Sequence, residues 1–178
     1  MRVRAFQIFF LAILIWPGLA AGDKIHALRA VDVDGNRLST ADGHITVLVL
    51  TNKANSPKAD LVGERVPNFC LGNPAYRLIT LVEFDAHSAG VRSFLTTMVR
   101  RRLDAEGRKL QGRYDANKIA RVARSDVYAV VDFNGRVMAQ LGNLAPAPFR
   151  VLIIGKNGEL LRQWNDVPGA EELAAALK

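Results

Sequence analysis

Four features of this 178-residue chain could carry chemistry: one cysteine, three histidines, a polar turn closing an apolar run, and a block of arginines and lysines. Cys70 is the sole cysteine, so no internal disulfide and no dithiol cycle can run within one chain. It lies beside Phe69 and Leu71, after a helical stretch, and reads as a small buried hydrophobe. The alternative, a reactive thiol, needs a helix N-terminus or a nearby cation to lower its pKa, and Cys70 stands at the wrong end of its helix. His26, His44 and His87 are far apart and fall in no metal-binding spacing. No Ser/His/Asp order and no phosphate loop is readable, and Gly135, Gly155 and Gly158 are turn glycines. The expectation is therefore no catalytic constellation, no metal and no cofactor, with enzymatic activity left open.

The polar turn is Asn55-Ser56-Pro57-Lys58, and it ends the charge-free run Ile45 to Thr51. The basic block lies between Arg92 and Arg124, where ten basic residues stand against three acidic ones, a balance of +7. Within it Arg100, Arg101 and Arg102 are consecutive, so at about 100° per residue they fan around a helix. One reading is a solvated helix face. The other is a surface for an anionic envelope component or an acidic protein partner. The stretch lacks the interleaved aromatics that stack bases, so nucleic acid is not an expected partner.

The first 21 residues have a different role. Arg2 and Arg4 precede the apolar Phe6 to Ile15, and Pro17-Gly18 leads into small residues around Ala20 to Gly22. That is the layout of a cleavable export signal, and it is short for a bilayer span; the alternative is an uncleaved anchor. Its removal takes two basic residues from 24, leaving 22 against 17 acidic ones, or +5. The expected compartment is periplasmic or extracellular, with no stable membrane span after cleavage and one domain over residues 22–178. An apolar share of 49% supports a proper core.

The elements that must position these residues follow in order. Ile25 to Leu38 around Asp34-Gly35 reads as a hairpin. His44 to Thr51 reads as a central strand, because a continuous β-branched run implies burial on both faces. Asn55 or Ser56 caps a helix with Pro57 at its first position, with Leu61, Val62, Val66 and Phe69 as its apolar stripe and Pro67 ending it. Tyr76 to Phe84 is a second strand. A helix then starts at Asp85 or Ser88 and shows Val91, Phe94, Leu95 and Met98 at i, i+3, i+4 and i+7 as its core side. Asp115 caps a further short helix through Val122. Asp126 to Phe133 is a third strand, and Asn134-Gly135 turns it into a return strand, Arg136 to Leu141. Phe149 to Ile154 and Glu159 to Trp164 form a closing hairpin, and Gly169 to Lys178 a final helix. Parallel units followed by an antiparallel pair make the class α/β.

Two stretches resemble a known family. Asp132 to Trp164, DFNGRVMAQLGNLAPAPFRVLIIGKNGELLRQW, is similar to the back half of thioredoxin-like proteins of the peroxiredoxin and TlpA/ResA type. The strand, turn and helix from Ile45 to Val66 match the position of that family's active site. The nearest pattern is the small, exported, cysteine-poor, YtfJ-like branch. The resemblance implies a thioredoxin-like three-layer sandwich whose mixed central sheet carries an N-terminal hairpin. It places Asn55 and Lys58 near the two redox cysteine positions, where neither can act as a thiol. It places Pro148, or alternatively Pro146, at the family's cis-proline, beside which a partner's extended backbone would pair. Gly155 stands where the family has an Asp. The expected role is non-catalytic binding or scaffolding in the cell envelope, through Asn55, Ser56, Pro57 and Lys58 facing Pro148 or through the basic face. The competing expectation is a one-cysteine enzyme acting through Cys70.

Overall fold

The computed structural model describes residues 27–86, 88–144 and 148–178. The stretch expected to be an export signal, His26, His87 and Pro146 lie outside them, as do the residues preceding Pro146 and Pro148 that would define a cis bond there. Among the described residues no helix is long and apolar enough to cross a membrane.

Strands β1 (Arg29–Val31) and β2 (Arg37–Ser39) form an antiparallel hairpin. The central strand β3 (Ile45–Asn52) is followed by α1 (Ser56–Arg65), β4 (Tyr76–Glu83), α2 (Ala89–Ala116) and β5 (Val127–Asp132). A single-turn helix α3 (Arg136–Ala139), β6 (Arg150–Ile154), β7 (Leu160–Trp164) and α4 (Ala170–Ala176) complete the chain. The main sheet has the order β5-β4-β3-β6-β7, with β3, β4 and β5 parallel and β6 and β7 antiparallel. Both steps β3→β4→β5 go the same way, so right-handed crossovers put α1 and α2 on the same face.

The strands bury both faces, which is why β3 is an unbroken apolar run. Leu48, Leu50, Ile79, Leu81 and Leu152 meet Leu28 and Leu38 of the hairpin and Met138 and Leu141 around α3. On the opposite face Val47, Val49, Val151 and Ile153 pack on Ala59 and Val62 of α1 and Leu173 and Leu177 around α4. Val127 and Ala129 pack on Val99 and Leu103 of α2. Each such aliphatic side chain contributes about 1.5–3 kcal/mol on burial. This is the expected three-layer α/β arrangement.

Three expectations are corrected. First, no separate helix begins at Asp115, because α2 runs unbroken for 28 residues and its core side is Val99, Leu103, Gly107 and Tyr114. Val91, Phe94 and Met98 are 49%, 67% and 38% exposed instead. The reason is length. A helix of that size is about 42 Å long, whereas the eight residues of β4 span about 26 Å. Its first turns overhang the sheet. Gly107 permits a close approach, since a Cβ there would stand 3.2 Å from the Arg124 backbone.

Second, Asn134-Gly135 starts a helix, not a return strand. The buried Asp132 carboxylate accepts the N–H groups of Asn134 (3.3 Å), Arg136 (3.1 Å), Val137 (2.8 Å) and Met138 (2.8 Å). The last three are the orphan donors of the first turn of α3, and the carboxylate satisfies them. Gly135 supplies the left-handed φ of 65° that enters the turn. Third, the stripe of α1 is Ala59 and Val62, while Leu61 and Phe69 are exposed. Pro67 does end α1 early, as expected, forcing the preceding Val66 into an extended conformation (φ −57°, ψ 127°).

Candidate functional site

The β3–α1 turn lies at the carboxyl edge of the sheet. There Asn52 Oδ1 accepts from both the backbone N–H and Nδ2 of Asn55, each at 3.0 Å. Asn55 occupies the N-cap position of α1, but its side chain does not cap the helix. Its Nδ2 instead reaches the Pro148 carbonyl oxygen at 3.3 Å, two residues ahead of β6. The structure thus brings together Asn55 and Pro148, separated by 93 positions in sequence.

The rest of the turn is also engaged. Ser56 Oγ donates to the Lys53 carbonyl (3.1 Å) and accepts from Arg102 (2.7 Å). Pro57 fills the first turn of α1, where its missing N–H costs nothing. Lys58 Nζ pairs with Asp166 Oδ1 at 2.9 Å and lies 5.5 Å from the centre of the Phe149 ring. The Lys58 hydrogen bond, with a second from the Val167 N–H, holds the Asp166 carboxyl below its ordinary range. No acidic residue occupies the first turn of α1, so the positive end of its dipole is not offset there.

The arginine triplet fans out as helical geometry requires. Arg100 reaches back to Asp34 (3.1 Å) and the Val33 carbonyl in the hairpin. Arg102 crosses to Ser56 and to Asp60 (2.6 Å) on α1. Arg101 points to solvent with no partner among the described residues. Further along, Arg113 donates to the carbonyls of Gly63, Glu64 and Val66, Arg121 pairs with Asp126, and Arg124 with Asp34 and Asp104. Lys109 pairs with Glu106, and Arg92 bonds Asn134 and the Ala86 carbonyl. Seven of the ten basic residues therefore hold the protein together. Arg101, Arg108 and Lys118 are the ones left to solvent among the described residues.

Cys70 sits in a 3₁₀ turn, Asn68–Cys70, beyond the far end of α1, with 7% of its surface exposed. The ten residues of α1 put it about 15 Å from the Asn55 edge. Burial pushes its thiol pKa up to about 11. A thiol held that high is almost wholly protonated at neutral pH and is a poor nucleophile.

Sequence reasoning missed Asn52 and Asp166, the partners that hold Asn55 and Lys58. Asn52 stood three residues before Asn55 and could have been found as a side chain closing its own loop. Asp166 lies 108 positions from Lys58, and no local signal points to it.

The sequence matches no family profile and no curated protein. Solved structures do match. A DsbF homologue from Corynebacterium diphtheriae is 13% identical, with 98% of this chain and 98% of that chain covered and a TM-score of 0.57. StoA from Bacillus subtilis is 12% identical over 86% of this chain and 98% of that one, with a TM-score of 0.53. A putative thiol:disulfide interchange protein DsbE from Chlorobium tepidum is 14% identical over 88% and 97%, with a TM-score of 0.52. At such identities the likeness concerns architecture alone, and with the sheet order and layering above it establishes that this chain has the thioredoxin-like α/β fold.

Proposed function

We propose that this chain is an exported thioredoxin-like domain that binds a protein partner at its former active-site edge and performs no thiol chemistry. One observation carries the reading. The edge where a redox pair would stand is built from Asn55 and Lys58, tied to Pro148 and Asp166, while the only thiol lies buried a helix length away. Export rests on the basic and apolar start of the sequence, and the finer likeness to a cysteine-poor, YtfJ-like branch rests on the sequence pattern. The burial and raised pKa of Cys70 argue against the competing one-cysteine enzyme.

The experiment is insulin reduction with a thiol donor, run beside native-state thiol labelling. Wild type and Cys70→Ala should both leave insulin intact, and Cys70 should label at a useful rate only in denaturant. Sustained turnover lost in Cys70→Ala would establish the enzyme instead.

An anionic envelope surface is a second reading, favoured by one specific observation. Arg101 and Arg108 are seven residues apart on α2, which places them on one helix face, and neither has a protein partner among the described residues. Arg101→Glu with Arg108→Glu touches no ion pair among the described residues. It should abolish low-salt binding to anionic vesicles, and unchanged retention would reduce the face to a solvated one.

A further inference from the structure

The right-handed crossovers place α1 and α2 side by side, yet the two helices do not close on one another. Between them lies a cavity of about 410 Å³, within the range of small-molecule sites. Its floor is the sheet, where Leu78, Thr80 and Val82 of β4 and Ala129 of β5 line it, and Val99 and Leu103 of α2 form a wall. Two arginines roof it. Arg102 spans from α2 to Asp60 and Ser56 near the start of α1, and Arg113 spans to the Gly63 and Glu64 carbonyls near its end. A gap that two long side chains bridge, over a floor that is apolar apart from the Thr80 hydroxyl, is a largely apolar channel along the strands. At the carboxyl edge of the sheet it reaches Met98, the last residue of the exposed Val91–Phe94–Met98 stripe.

Charge distinguishes the two ends. Toward the end of α1, Glu64 and Glu106 are matched by Lys109 and Arg113. Toward its start stand Lys53 and Arg102 against the single carboxylate of Asp60, beside a helix N-terminus whose first turn holds no acid. Arg102 already serves Asp60, and the Lys53 ammonium has no partner among the described residues.

We infer that the channel between α1 and α2 binds a single-chain amphiphile with an anionic head, its hydrocarbon tail over Thr80 and Ala129 and its head at Lys53. The fit is one of complementarity: an apolar channel for the chain, and a net positive mouth for the charge. This goes beyond partner binding at the Asn55–Pro148 edge and stands or falls separately from it, because the channel lies between α1 and α2 and neither Asn55 nor Pro148 lines it.

The test uses the purified full chain with sodium decanoate and 1-decanol as probes, followed by isothermal titration calorimetry. Wild type should bind decanoate saturably at one site and bind decanol at least tenfold more weakly. Lys53→Glu should remove that preference for the carboxylate while decanol binding persists. Gly63→Leu should block both ligands, since a Cβ at Gly63 has room, its nearest neighbour being Leu78 Cδ2 at 3.6 Å, and a longer side chain would enter the channel. Thr80→Phe fills the channel from the sheet and serves as the second blocking variant. Absence of saturable decanoate binding to wild type would overturn the inference. So would undiminished binding to either blocking variant with a wild-type circular dichroism spectrum, or equal affinity of wild type for the acid and the alcohol.

Discussion

Two strand-to-helix turns leave the same edge of the sheet and treat their helices in opposite ways. After β5, the Asp132 carboxylate accepts four backbone N–H groups and closes the start of α3 from inside, 3% exposed. After β3, Asn55 stands at the cap position of α1 and spends its side chain elsewhere, on Asn52 and across to Pro148. In the first turn the carboxylate is spent on its own backbone, on four N–H groups within six residues. The second leaves its helix N-terminus uncapped by a side chain and turns its polar groups toward a neighbouring strand and a distant loop. In this fold the turn that could meet a partner is the one whose local hydrogen bonds are incomplete.

The largest expected effect comes from building thiol chemistry into the open turn. Asn55→Cys with Lys58→Cys puts two thiols three positions apart, the first at a helix N-terminus that favours thiolate. The double variant should form a disulfide within the turn and reduce insulin with a thiol donor, whereas wild type should not. Mass spectrometry showing only free thiols under mild oxidant would mean that the turn no longer brings those positions within bonding distance.

Next comes the closed turn. Asp132→Ala leaves buried N–H groups without acceptors and should cost about 3 kcal/mol, lowering the thermal midpoint by about 10 °C. A midpoint within 2 °C of wild type, on the order of measurement error against that expectation, would show that solvent replaces the carboxylate and that the two turns do not differ.

A smaller effect comes from the opposite edge, which holds the hairpin against the sheet. Arg77, almost fully buried, clasps Asp42 through both carboxylate oxygens at 2.8 Å, Thr46 Oγ1 at 3.0 Å and the Ser39 carbonyl. Burial pushes the Asp42 pKa up, but hydrogen bonds with His44 and Arg77 outweigh it and hold the carboxyl below its ordinary value of 3.8. A depressed carboxyl stabilises the folded state above its unfolded pKa of about 4, and that contribution is lost as pH falls through the folded value. Thermal melts should therefore weaken below about pH 4, and Asp42→Asn should be less stable at pH 7 yet show a shallower acid decline. Parallel declines in the two proteins would remove Asp42 from the account.

The smallest change is expected at the open turn itself. Asn55→Ala loses a partly exposed contact to Pro148 and should cost about 0.5–1 kcal/mol, several-fold less than Asp132→Ala. Equal costs for the two would mean that the Asn55 turn is as structural as its counterpart.

Much of this was legible along the chain. Apolar runs that alternate with turn residues marked β3, β4, β6 and β7, and Pro57 and Pro67 bracketed α1, because burial on two faces and a missing N–H leave local signatures. One cysteine excluded an internal dithiol cycle by count alone. Tertiary structure decided the rest. Val91, Phe94, Leu95 and Met98 have the period of a buried stripe, but whether a stripe is covered depends on where the sheet ends beneath it. Asn134-Gly135 has hairpin chemistry, but the Asp132 carboxylate beside it offers the same N–H groups a stronger acceptor than a return strand would. Arginines at 113 and 124 look like a free basic face in sequence, yet carbonyls and carboxylates brought from α1 and the hairpin consume them. The channel between α1 and α2 has no sequence signature, because its volume is the separation of two helices, set by the sheet that both of them cover.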